Sequence, residues 1–117
     1  IKAISQATPG NSVYDISNVL QTTIEGNGYS VSRDLTGHGV GHKLHLHPNI
    51  SCFAIEEDKN ITLEKGQTLA IEIMYAKGRP ELEQEKDGWT LSTIDNSLAG
   101  MFEHTVVVSS PRPTILT

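Results

Sequence analysis

The chain has 117 residues, 37% of them hydrophobic and 20% charged, which is the composition of one globular domain or part of one rather than of a disordered tract. Nine Lys and Arg against fourteen Asp and Glu give a net charge of -5, and no two basic residues are adjacent, so nucleic-acid binding is excluded as a first reading. A single cysteine, Cys52, rules out an internal disulfide framework and a cysteine-rich zinc module, and fits a small buried side chain in a reducing compartment.

No apolar stretch approaches the roughly 18 residues of a membrane span. No basic-then-apolar leader opens the chain. Its first residue is Ile1, with no initiator Met, so processing or a longer parent protein is expected.

Thr8-Pro9-Gly10-Asn11-Ser12 is a breaker cluster. Val13, Ile16, Val19, Leu20 and Ile24 then recur at three- and four-residue steps, which predicts a helix with Asp15, Asn18, Gln21 and Glu25 turned outward. Ser12 is its expected N-cap and Gly26-Asn27-Gly28 its stop. The period then changes. Tyr29, Val31 and Arg33 alternate with serines and predict a short strand.

Thr36 to His47 has no clear period, Cys52 to Ile55 reads as a short strand, and Asp58-Lys59-Asn60 and Glu64 to Gln67 read as turns. Thr68 to Tyr75 is apolar and β-branched, the pattern of a central strand covered on both faces. Lys77 to Gly88 reads as a loop or hairpin tip, Trp89 to Thr93 as a strand, and Gly100 to Val108 as another strand, ended by Pro111 and Pro113. One helix followed by mostly antiparallel strands makes the class α+β.

Glu72 and Glu103 each interrupt an apolar strand-like run. A carboxylate buried alone is costly. Solvent-facing or paired glutamates account for the two, and so does a shared cation. Four of the five histidines fall between His38 and His47, with Gly37, Gly39 and Gly41 among them. Imidazole is a common metal ligand and a near-neutral acid or base. The four-residue step from His38 to His42 lacks the glutamate of a zinc-protease helix and is too glycine-rich to be helical. One His with two Glu would suit Mn, Fe, Co or Zn with a position left for water, but is short of carboxylates for two dications.

The combination has a family likeness. Thr36-Gly37-His38-Gly39-Val40-Gly41-His42-Lys43-Leu44-His45 resembles the glycine-histidine segment of type I methionine aminopeptidases. Ala70-Ile71-Glu72-Ile73-Met74 resembles their second metal segment, and Asp87-Gly88-Trp89-Thr90 with Phe102-Glu103-His104-Thr105 their C-terminal signature. The resemblance implies residues 1–117 as the C-terminal half of a pita-bread catalytic domain, an antiparallel sheet with one or two packed helices.

It further implies removal of N-terminal methionine from peptides and nascent proteins in the cytoplasm. By resemblance, His38 and Glu72 would ligate one metal and Glu103 would bridge two. His45 would contact the substrate carbonyl, and Trp89 would lie near the methionine side-chain pocket. Two divalent ions are expected in a full domain. Here at most one is expected, weakly held, because the family's two aspartate ligands lie in the other half, so little or no peptidase activity is expected of this chain alone.

Leu46 and His47 stand where the family is acidic, Ile73 where it has Pro, and Ala99-Gly100-Met101 where it has Ser-Ala-Gln. Those changes support one rival, a non-catalytic peptide-binding or protein-binding relative of the same shape. A single-metal storage or structural site using the histidine cluster, in which His42 and His47 would matter as much as His38, is another. The face that a second half would cover is expected to favour a homodimer.

Overall fold

A computed structural model describes residues 1–117. Helix α1 spans Val13–Glu25, where the apolar stripe places it. The Asp15 carboxylate accepts from the Ser12 N–H at 2.7 Å and its hydroxyl at 2.8 Å, so Asp15 braces the helix start instead of facing solvent as expected. Gly28, at φ +80°, turns the chain out of the helix.

The strands are β1 (Ser30–Val31), β2 (Thr36–Gly39), β3 (Leu46–Ser51), β4 (Thr68–Ala76), β5 (Leu82–Gln84), β6 (Leu91–Thr93), β7 (Ala99–Val107) and β8 (Thr114–Ile115). The main sheet runs β3-β2-β4-β7-β8, with β1 pairing β4 beyond the end of β2. Every pairing is antiparallel. The α+β class and the central place of β4 are therefore as the sequence reads.

The Gly/His segment, which has no readable period, supplies β2 and the start of β3. The short strand read at Cys52 to Ile55 is instead irregular chain, and the pairing lies just before it. Cys52 is fully buried against Val31 and Met74, where desolvation raises its thiol pKa. A two-residue strand, β8, follows the prolines.

The two faces of β4 and β7 have different tasks. Leu69, Ile71 and Val106 point toward α1 and pack with Val13, Ile16, Leu20, Ile50 and Leu63 in the main core. Burying a side chain of this kind is worth about 1.5–3 kcal/mol, so this face holds the fold together. The alternate residues Glu72, Met74, Met101 and Glu103 lie on the opposite face. Hairpin β5–β6 forms a separate two-stranded sheet near that second face.

Its base is clamped. Asp95 accepts from the Arg79 N–H at 2.8 Å, Ser97 Oγ from the Gly78 N–H at 3.2 Å, and the Gly78 carbonyl from Ser30 Oγ at 2.7 Å. No helix is long and apolar enough to cross a membrane.

Candidate metal centre

Three neighbouring strands carry the three expected ligands. His38 on β2 pairs with Ala70 on β4, and Glu72 on β4 pairs with Glu103 on β7. All three residues share the face turned away from α1, because cross-strand partners and residues two apart lie on one side of a sheet. The mid-strand glutamates are thus neither scattered nor separately paired with Lys or Arg.

His38 is buried, with 8% of its surface exposed. Its Nδ1 lies 2.8 Å from the Gly39 carbonyl oxygen. A carbonyl only accepts, so Nδ1 carries the proton, and in the neutral ring Nε2 offers a lone pair. That nitrogen faces Glu72 Oε1 at 3.6 Å. The gap is well beyond the 2.7–2.9 Å or so of a charge-assisted hydrogen bond. With the ring neutral, two electron-pair donors face each other there, with Glu103 one strand away.

The pKa of Glu72 is raised, first by burial and then by the charge of Glu103, while His38 and His45 pull it down. A cation held by this group would relieve the repulsion between the two carboxylates. The donor set, one imidazole nitrogen and carboxylate oxygens, suits a divalent cation of the Mn-to-Zn series. The set is open: no three His, Cys, Asp or Glu side chains converge closely enough to enclose an ion.

His45 is exposed on the β2–β3 loop, and its ring meets that of His38 edge-on at 4.3 Å between centroids. It therefore stands beside His38, one of the three expected ligands. His42 and His47 are also exposed. Trp89 lies at the tip of the β5–β6 hairpin with 88% of its surface exposed, its backbone N–H donated to Asp87 at 2.9 Å.

Sequence reasoning missed a recess of about 260 Å³ further along strands β4 and β7. Leu35, Met74 and Met101 form one wall, and Leu82 and Leu91 of the hairpin form the other. Met74 and Met101 are themselves cross-strand partners, two residues along from Glu72 and Glu103 on the same face. The strand alternation contained this signal, but the overhanging hairpin did not show in it.

Comparison with known proteins gives these shapes a context. The model of metallopeptidase family M24 matches residues 1–110. The methionine aminopeptidase of Escherichia coli (strain K12) is 37% identical over 115 residues, 98% of this chain and 43% of that protein. That of Aquifex aeolicus (strain VF5) is 40% identical over 116 residues, 98% of this chain and 45% of that one. The crystal structure of methionine aminopeptidase from Thermotoga maritima superimposes with a TM-score of 0.94 at 40% identity, covering 99% of this chain and 46% of that chain.

The prolidase from Pyrococcus horikoshii OT3 shares the fold alone, with a TM-score of 0.69 at 22% identity. The expected fold, antiparallel sheet and packed helix of the pita-bread kind, is the one observed. The chain spans less than half the length of the relatives it matches.

Proposed function

The chain belongs to metallopeptidase family M24, and on that premise we propose that it is the C-terminal half of a methionine aminopeptidase catalytic domain. In the whole domain it would serve removal of N-terminal methionine from peptides and nascent proteins in the cytoplasm. The observation that carries this reading is the lone-pair side of His38 facing Glu72 at 3.6 Å, with Glu103 as the cross-strand neighbour of Glu72.

His38, Glu72 and Glu103 would hold the divalent metal, whose chemistry when bound is to polarise a carbonyl and lower the pKa of water. Mn, Fe, Co and Zn all suit the donor set. Two ions are proposed for the complete domain and at most one, weakly bound, for this half. The exposed position of His45 against His38 fits a group that reaches a substrate carbonyl and donates to its oxygen. The recess lined by Met74 and Met101 offers an apolar substrate side chain an apolar wall two residues along the strands from the carboxylates. Trp89 stays assigned to the substrate side, at the tip of the same hairpin.

The exposed apolar residues Met101, on the carboxylate face, and Leu91, on the hairpin beside it, make a second copy the partner proposed for the uncovered face. A clean monomer in gel filtration would contradict that assignment.

The functional test is complementation. The chain mixed with the N-terminal half of a related methionine aminopeptidase should release methionine from a peptide, whereas the chain alone should not. A complex that forms, takes up metal and releases nothing would favour the non-catalytic binding relative, for which the altered residues Ile73 and Met101 speak.

A further inference from the structure

Strands β2 and β3 pair regularly from Thr36 with Ser51 to His38 with Asn49, and then the register breaks, so that Gly39 pairs with Leu46. His47 and Pro48 are the extra residues of this bulge. On its other side Gly39 pairs with Leu69 of β4. Gly39 is therefore gripped between two strands at the point where one of them buckles.

A Cβ at position 39 would run into the His47 carbonyl oxygen, with the His47 carbonyl carbon at 2.9 Å and the Leu46 oxygen at 3.1 Å. These are backbone atoms in paired strands, and none can rotate aside. Only glycine lets β3 close here. The same residue supplies the carbonyl that lies 2.8 Å from His38 Nδ1.

We propose that Gly39 is a positioning residue for His38: the bulge that only glycine permits turns the Gly39 carbonyl onto Nδ1 and leaves Nε2 free toward Glu72. Partners of this kind fix the tautomer and ring orientation of metal-binding histidines. Here the partner is the backbone of the adjacent residue, so its placement depends on the missing Cβ and not on a second side chain. The metal-affinity part of the test rests on the reading of His38 as a ligand. The tautomer part does not.

The test is a long-range 1H–15N correlation on the metal-free, 15N-labelled chain, with the His38 ring assigned by its loss in His38→Gln. The expected result is the Nδ1–H tautomer, opposite to the preference of an unconstrained imidazole in water. Gly39→Ala should lose that single tautomer and lower Co(II) affinity about 10–100-fold, the scale on which such outer partners act. Gly41→Ala is the control. Its Cβ meets only the end of the Leu46 side chain, at 3.3 Å, so both readouts should stay unchanged.

An Nε2–H tautomer in the unmodified chain overturns the proposal, as does a Gly39→Ala chain that keeps both tautomer and affinity. Should circular dichroism show Gly39→Ala unfolded, the tautomer of the unmodified chain decides alone. An unmodified chain that shows Nδ1–H and takes up no Co(II) counts against the metal reading and for this one.

Discussion

Glu72 is held at a disadvantage in the metal-free chain. Burial and the neighbouring charge of Glu103 push its pKa above the ordinary 4.5. The folded chain thus holds this proton more tightly than the unfolded chain does. The resulting stability is present below pH 4.5 and is lost as pH rises through the raised value. Glu72→Gln should therefore raise the melting temperature of the metal-free chain at pH 7, with the difference closing as pH falls toward 4, while metal affinity drops. Equal melting of the two chains at pH 7 would contradict the strain assigned to Glu72.

Glu72 and Glu103 were visible in the sequence because a charge inside an apolar strand run is conspicuous. His38 stood out only with its motif, since nothing in the spacing separated it from His42 and His47. The Gly39 carbonyl was invisible, because a backbone acceptor has no letter and the bulge that aims it depends on how β3 folds back.

At the scale of elements, legibility follows periodicity. Helix α1 and strands β4 and β7 bury one face or two against the core, and their apolar spacing records it. Strands β2 and β3 are built from glycine, histidine and a bulge, so their pairing is set by neighbours and leaves no pattern. The β5–β6 hairpin is held by hydrogen bonds at its base more than by burial.

Asp95 is the centre of that clamp. The Arg79 N–H, with Ser97 next, lowers its pKa to about 2. Its contribution is present above the ordinary 3.8 and is lost as pH falls through about 2. Asp95→Asn should speed amide exchange across residues 82–93 at neutral pH and leave α1 unchanged, because local opening follows the local clamp. Unchanged exchange in the hairpin would show that apolar contact with Leu82 and Leu91 alone holds it down.

The whole molecule divides its labour between two faces of one sheet. One packs on α1 and makes the core. The other carries His38, Glu72 and Glu103 and leaves Met101, with Leu91 of the hairpin beside it, exposed. A sheet so finished on one side and so open on the other agrees with a chain that spans less than half of its relatives. The sequence motifs disclosed that division early, whereas composition alone gave an ordinary small domain. The proposed function requires that His38, Glu72 and Glu103 act together on one metal ion. Calorimetric titration of Mn(II) and Co(II) into the chain, beside His38→Ala and Glu103→Ala, tests it most directly. One weak site that both substitutions weaken at least about tenfold is the predicted result, since each would remove one of the three proposed protein donors. No uptake, or uptake indifferent to both substitutions, would contradict it.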